Sequence, residues 1–300
     1  MSDSDHEITA CIVCRNEADK LQACLDSIAW VDEVIVMDLD SDDDSGAVAR
    51  AAGATVVDHP LVTIVEFVRN ELAAHAQHDW ILVLDPDERL APGLESTLRD
   101  VARDDSCDAV VIPRTNIDFG HAPSHWAQRY EPQLRMYRRS RVVWPEVPNK
   151  LPKVPEDRLR RLPAKDEFVI IHQRSRNISE VLDRSIRYAP AQARSMLEAG
   201  TTFSAGAMMR ALWGETDRKL LRTRAWRDGL PGLIRAGVLI SFKFHVWVEF
   251  WQQSGGQRTA GDDKIVRRTG WLLEPIRLGS QFTNRISSIA RGRRASRDRP

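Results

Sequence analysis

Trp80-Ile81-Leu82-Val83-Leu84-Asp85-Pro86-Asp87-Glu88 joins five consecutive apolar residues directly to three carboxylates. A strand apolar at every position needs cover on both faces, as the inner strands of a parallel sheet do. Working back towards the N-terminus, the same grammar repeats. Ile8–Cys14 and Glu33–Met37 are β-branched, apolar runs, and Thr55–Val57 is a shorter one. Between them Asn16–Ile28 sets Leu21, Cys24, Leu25 and Ile28 at helical spacing, and Ala47–Ala52 makes a short helix stopped by Gly53. Val65–His75 and Pro92–Val101 read as further helices and Ala109–Ile112 as a fifth strand. Strands alternating with helices imply right-handed crossovers and a doubly wound α/β fold, with a mainly parallel sheet and helices on both faces. Ligands in such folds bind at the carboxyl ends of the strands.

Beyond residue 113 the pattern changes. The section 114–175 is rich in Pro and Arg, carries Trp126, Tyr130, Tyr137 and Trp144, and reads as irregular up to a strand at Phe168–Ile171. Helices are expected near Ile178–Leu197, Ala207–Arg227 and Pro231–Trp251, followed by a polar tail ending RGRRASRDRP. The division this suggests is a catalytic domain over 1–175, a helical region over 176–251 and a basic, disordered tail over 252–300.

The formal net charge of zero over 300 residues conceals an uneven distribution. Residues 1–100 hold 22 Asp+Glu against 6 Lys+Arg, whereas 101–300 hold 21 against 37. An acidic front excludes a uniformly basic nucleic-acid binder, and no nucleic-acid-binding motif is present. The basic back suits a polyanion or a membrane surface. The N-terminal MSDSDHEITA lacks the basic and apolar regions of a secretory signal, and no charge-free run of 18 apolar residues suggests a spanning helix. Four cysteines give no disulfide framework. Cys11 and Cys14 sit three apart in a strand, which sends their sulfurs to opposite faces and makes them buried structural thiols.

The acidic residues fall where this fold binds ligands. Asp38-Leu-Asp40-Ser41-Asp42-Asp43-Asp44-Ser45 follows the second strand, and Asp85-Pro-Asp87-Glu88 follows the fourth. Carboxylates at i, i+2 on a turning loop can share a divalent cation through hard oxygen ligands, and such an ion neutralises a leaving diphosphate. For most of Asp40–Asp44, helix capping and loop solvation explain the composition equally.

The ordered set of motifs resembles the family 2 nucleotide-sugar glycosyltransferases of GT-A fold, in particular the bacterial branch that builds lipopolysaccharide cores. It comprises Cys14-Arg-Asn-Glu17, Cys24-Leu-Asp-Ser-Ile28, Asp38-x-x-Ser41-x-Asp43-x-Ser45, Asp58-His-Pro60, Arg69-Asn70, Asp79-Trp80, Leu84-Asp-Pro-Asp-Glu88 and Gln133-Leu-Arg-Met-Tyr-Arg-Arg139. The sequence departs from that pattern at Leu39-Asp40, at Pro86, and at Pro148-Asn149-Lys150, where a His-Glu pair is usual.

The resemblance implies a nucleotide pocket of Glu17 and Asp38, with Asp38 accepting from a pyrimidine N–H and Arg69 contacting the donor nucleotide. Asp85 would hold the ribose or a water of the cation, and Asp87 would ligate Mn²⁺ or Mg²⁺. His172, after a late strand, is either a third metal ligand or a packing histidine. Glu131 is the candidate general base, with Asp118 as alternative and an i, i+4 ion pair to Arg135 as the plain explanation. Arg135, Arg138 and Arg139 would bind the diphosphate or an anionic acceptor, or form a solvated basic face. In the back half, Arg218, Lys219, Arg222, Arg224 and Arg227 accompany Trp213, Trp226 and the apolar 231–251. That combination points to peripheral membrane contact through 210–251, or to a helix packed on protein.

The reading is an inverting transferase at the cytoplasmic membrane face, moving a hexose from a UDP-linked donor to an envelope glycan or lipid-linked acceptor. The alternatives are a catalytically degenerate scaffold recruited to the membrane and a nucleotidyltransferase, although the latter's Gly-rich phosphate loop is missing from Cys14–Asp19.

Overall fold

The computed structural model of the chain describes residues 6–62, 65–124, 129–145, 150–257 and 259–268. The expected basic tail beyond 268, Trp126, and Pro148-Asn149 lie outside the described residues.

The front of the chain forms strands β1 (Ile8–Cys14), β2 (Glu33–Asp38), β3 (Thr55–Asp58), β4 (Trp80–Leu84) and β5 (Glu88–Leu90), with helices α1 (Ala18–Ser27), α2 (Ser45–Ala51), α3 (Arg69–Ala74) and α4 (Leu94–Arg103). Strands β6 (Ala109–Asp118), β7 (Glu131–Arg138), β8 (Leu159–Arg161) and β9 (Ile170–Ser175) follow. The sheet runs β3-β2-β1-β4-β7-β6-β9-β5, with β8 beside β6. The pairs β3–β2, β2–β1, β1–β4, β6–β8 and β6–β9 are parallel, while β7 runs antiparallel to both β4 and β6. This is the mainly parallel α/β architecture expected.

Alternation along the strands feeds two cores. Ile8, Ala10, Ile12, Trp80, Leu82 and Leu84 pack under α1 and α4 with Leu21, Leu25, Leu94 and Leu98. Cys11, Ile35, Met37, Ile81 and Val83 pack on the other face with Leu72 of α3, Tyr137 and Trp144. Cys11 and Cys14 therefore fall in opposite layers, and all four cysteines are free and buried. Burial pushes the thiols of Cys11 and Cys14 up to about 12, which fits inert packing.

The expectation of irregular chain over 114–175 is corrected in two places. Strand β6 extends to Asp118, and the Gln133–Arg138 segment is strand β7. Its period is hidden by a bulge. Val110 pairs with Met136 but Val111 with Leu134, leaving Arg135 as the extra residue. Leu134 and Met136 consequently serve opposite cores, contrary to the i, i+2 rule that sequence reading uses.

Two compact units emerge among the described residues. The first takes the chain up to Glu180 together with Thr223–Leu233, and the second takes Val181–Arg222 together with the chain from Ile234 onward. The helices that thread them are α5 (Ile178–Glu198), α6 (Ala205–Thr216) and α7 (Gly229–Gln253). In the second unit Phe203, Trp247 and Phe250 make edge-on contacts at 5.6–6.0 Å around Ala193. The single helix expected over Ala207–Arg227 is broken. It passes into a wide turn at Asp217–Arg222, then Arg224 adopts φ 52° and Gly229 φ 64°. Gly232 is needed for close approach, because a Cβ there would lie 2.0 Å from the carbonyl oxygen of Ala225. No helix among the described residues is long and apolar enough to cross a membrane.

Candidate functional site

Strands β2, β1 and β4 end side by side, since Cys14 aligns with Asp38 and Ile12 with Leu84. Asp38 closes β2. Its Oδ1 accepts from the backbone N–H of Ser41 at 3.2 Å and from the Ser41 hydroxyl, which fixes the carboxylate at the mouth of the loop. The first turn of α2 presses against its other oxygen. A Cβ on Gly46 would stand 3.1 Å from Asp38 Oδ2, so a larger residue there would push the carboxylate aside by a few tenths of an ångström.

The loops after β1 and β2 are stitched together. Asn16 and Asp40 occupy the left-handed region at φ 51° and 56°. Ser41 Oγ accepts from Asn16 N (3.0 Å), Ser45 Oγ from Glu17 N (3.0 Å), and Asp43 Oδ2 from Ala18 N (3.1 Å). Asp43 thus satisfies one donor at the start of α1 and those of Ser45 at the start of α2, while Asp40, Asp42 and Asp44 are exposed loop residues. Glu17, held by this stitching, lies close enough to Asp85 and Asp87 to feel their charge. Burial pushes its carboxyl up, Lys20 at 3.3 Å opposes that, and the two aspartates add to it.

The second cluster is built around the β7 bulge. Arg135, 4% exposed at its side chain, places Nη2 2.5 Å from Glu88 Oε1 and 2.6 Å from Asp85 Oδ2. Glu88 has no exposure at all. It also accepts from Arg114 at 2.9 Å, and its Oε2 receives the backbone N–H of Asp85 at 3.1 Å. Lost hydration works against the charge on Asp85, but Arg135 and then Arg69 hold its carboxyl well below the usual carboxylate range.

Glu131 does not pair with Arg135. In a strand the two cannot meet at i, i+4, and Glu131 Oε2 accepts instead from Arg114 (2.8 Å) and Asn116 (3.2 Å), leaving Oε1 without a hydrogen-bond partner among the described residues. Burial raises the Glu131 carboxyl, but the bond and charge of Arg114, the Asn116 bond and the charge of Arg174 together outweigh it and the net shift is downward, so the group is ionised at neutral pH. Asp118, the alternative base, is 5% exposed and bound side-on by Arg174.

His172 stands between Glu88 of β5 and Asn116 of β6 in the sheet register. Asn116 gives its Nδ2 to Glu131, so its Oδ1 faces His172 Nδ1 at 2.7 Å, and that nitrogen must donate. The opposite nitrogen, Nε2, faces Asp87 Oδ2 at 3.2 Å. The arrangement presents an imidazole nitrogen and a carboxylate oxygen to one point, a donor set that suits Mn²⁺. Among the described residues no cluster of three or more His, Cys, Asp or Glu side chains forms a complete cation site.

Of the basic residues expected to meet phosphate, Arg138 is placed elsewhere. Strand β7 starts at the site and runs away from it, so Arg138 ends beside Trp80 at the amino edge, where it pairs with Asp79 and Asp105. Three residues of strand carry it about 10 Å from Arg135. Sequence reading missed Arg114, Asn116 and Arg174 altogether, and it quoted Glu88 without giving it a role. All four gain significance only through pairing across β5, β6, β7 and β9.

Residues 9–179 match the family profile described as glycosyl transferase family 2. The chain belongs to that family. Curated relatives include a TPR repeat-containing protein of Synechococcus elongatus, 35% identical over 118 residues, which covers 39% of this chain and 29% of that protein. An uncharacterised glycosyltransferase of Rickettsia felis is 36% identical over 93 residues, covering 31% of this chain and 32% of that protein. The chain thus spans about a third of the length of the curated relatives it matches. Among solved structures, residues 1–349 of Staphylococcus aureus TarS align over 83% of this chain and 89% of that one (15% identity, TM-score 0.43). A mannosyltransferase from Pyrobaculum calidifontis, in complex with GDP-Man and Mn²⁺, aligns over 92% and 83% (14% identity, TM-score 0.43).

Proposed function

We propose that this family 2 member is an inverting hexosyltransferase of the branch that builds lipopolysaccharide cores. Its donor is a nucleotide diphosphate hexose, UDP-linked, and its acceptor an envelope glycan or lipid-linked sugar. The observation that carries the reading is the convergence of Glu17, Asp38, Asp85 and Asp87 at the carboxyl ends of β1, β2 and β4, with His172 against Asp87. Residues 1–175 are the catalytic part.

In this reading Asp38 accepts from the base N–H and Arg69 contacts the nucleotide. Asp85, kept ionised by Arg135, holds the ribose or a cation-bound water. Asp87 and His172 hold the divalent cation, which when bound neutralises the departing diphosphate. Glu131 Oε1, the oxygen without a partner among the described residues, takes the acceptor's hydroxyl proton as the hydroxyl oxygen attacks the anomeric carbon and the bond to the diphosphate breaks. Arg114 and Asn116 hold Oε2 and so aim the carboxylate. Screening UDP-, GDP- and dTDP-sugars for donor hydrolysis with and without Mn²⁺ tests the donor. If Asp87→Ala keeps full transfer and Mn²⁺-dependent donor binding, the cation role is wrong.

The acceptor side is read as the cytoplasmic face of a membrane. In support, Trp226, Leu230 and Leu233 are exposed within one short segment, and Arg227 lies 5.4 Å over the Trp226 ring. Interfacial aromatics beside guanidinium groups suit an anionic headgroup layer. Flotation of the full chain with anionic vesicles, lost in a Trp226→Ser, Leu230→Ser variant, supports this contact, and unchanged flotation removes it.

A further inference from the structure

We infer that Trp144 and Asn70 are positioning residues that set the orientation of Arg69 for the donor nucleotide. The inference rests on the reading of Arg69 as a donor contact. Arg69 opens α3 beneath the end of β4, near enough to Asp85 to act on its charge. A long side chain at such a spot has many rotamers, and its stem alone fixes none of them. Here the guanidinium carbon lies 4.4 Å from the centroid of the Trp144 ring, a face-on cation–π contact. Burial also lowers the Arg69 pKa, with Asp85 opposing, so the half-buried stacked group is partly shielded from water, which strengthens such contacts.

The indole is itself immobilised. Trp144 is 3% exposed and meets Tyr137 edge-on at 6.0 Å and 68°. The next residue after Arg69 then ties down the backbone. Asn70 Nδ2 donates to the Trp144 carbonyl at 2.8 Å, and Asn70 Oδ1 accepts from the Trp144 N–H at 3.0 Å. A carboxamide that grips both backbone groups of one residue fixes that residue's position and direction together. Consecutive residues of α3 therefore hold opposite aspects of Trp144, Arg69 its ring face and Asn70 its main chain. The loop after β7 becomes part of the pocket wall through an arginine that it does not itself contribute.

Calorimetric titration of UDP with Mn²⁺ into the full chain tests this, alongside thermal melts. Arg69→Ala and Trp144→Leu are each expected to weaken UDP binding by about tenfold, and Trp144→Phe, which keeps a ring face, by less than about threefold. The double variant Arg69→Ala/Trp144→Leu is expected to lose no more than Arg69→Ala alone, because the indole acts through the guanidinium. In donor turnover Trp144→Leu raises KM with little change in kcat. Wild-type affinity in Trp144→Leu, or losses that multiply in the double variant, overturns the inference while leaving the donor site standing. Failure of the wild-type chain to bind UDP or GDP at all overturns the donor-site reading and this inference with it. Should Trp144→Leu not fold, Asn70→Ala keeps the indole but frees its backbone. Weakened UDP binding that Arg69→Ala does not compound then supports the inference, and unchanged binding overturns it.

Discussion

Arg135 Nη2 lies 2.5 Å from Oε1 of Glu88, a carboxylate with no solvent exposure. Around this pair run Glu131–Arg114–Glu88–Arg135–Asp85, an unbroken chain of alternating charges between the candidate base and the candidate donor carboxylate. Each internal member has partners on both sides, which is how buried charge becomes tolerable.

Removing the central cation should therefore be costly. Arg135→Met leaves buried Glu88 with Arg114 as its one cationic partner and strips Asp85 of its directly bonded cation, and is expected to destabilise by about 3–5 kcal/mol in urea titration. The pH dependence has a definite sign. Asp85 has a folded pKa below its unfolded one, so its stabilisation is present above the ordinary carboxylate range and lost as pH falls through the depressed folded value. Arg135→Met should flatten that acid limb. A loss under about 1 kcal/mol with the acid limb intact would show the network to be incidental.

Glu17 is expected to behave oppositely. Burial raises its pKa, and Asp87 and Asp85 add to the rise against the pull of Lys20. Its ionised form is thus a burden to the ligand-free fold, one that grows as pH rises from the ordinary glutamate range through the raised folded value. Glu17→Gln should raise Tm by a few degrees at pH 7, with the gain shrinking towards pH 4, and should weaken UDP–Mn²⁺ binding. A variant that melts earlier at pH 7 than the wild type would refute the assignment of strain to Glu17.

The contrast between these residues shows what a sequence can and cannot carry. Asp38, Asp85 and Asp87 were legible because a fully apolar strand ends at a fixed edge of a parallel sheet, so the next residue's place follows from the strand itself. Arg135 was legible as a residue type but not as an environment. Its bulge breaks the period that would have revealed β7, and its partners come from the turn after β4 and from β5. Arg114 and Asn116 alternate along a strand that sequence reading ended at Ile112, and their meaning arises only across β7 and β9. The break at Arg224 had no signal, since a left-handed residue there is not announced by glycine. Local periodicity specifies the scaffold, whereas antiparallel pairing of distant strands specifies the charge network.

Arg138 offers a control for position. It stacks over Trp80 at 4.6 Å and pairs with Asp105 at 3.0 Å, all at the amino edge of the sheet. Arg138→Ala should cost about 1–2 kcal/mol of stability through lost packing and cation–π contact. UDP affinity should stay within about twofold, because removing one distant guanidinium changes little across a screened path. A tenfold loss of UDP binding in a folded Arg138→Ala chain would restore the expectation that this residue meets phosphate.

Glu131, Asn116, His172 and Asp87 form a hydrogen-bonded line along which the proposed proton transfer and the proposed cation binding can be separated. Asn116 serves both ends, with Nδ2 on Glu131 at 3.2 Å and Oδ1 facing His172 Nδ1 at 2.7 Å. Glu131→Gln removes the proposed base and keeps an oxygen for Arg114, so transfer should fall by about 10²–10⁴-fold while Mn²⁺ and UDP binding persist. Asn116→Ala frees the imidazole to rotate and to place its proton on Nε2, facing Asp87. Mn²⁺ affinity, read directly by electron paramagnetic resonance, should drop by about 10–100-fold even though Asn116 touches no cation. His172→Ala should lower it at least as far, and His172→Ala/Asn116→Ala no further. If Asn116→Ala binds Mn²⁺ as the wild type does while His172→Ala does not, the asparagine sets nothing at the cation, and its bond to Glu131 is its whole contribution.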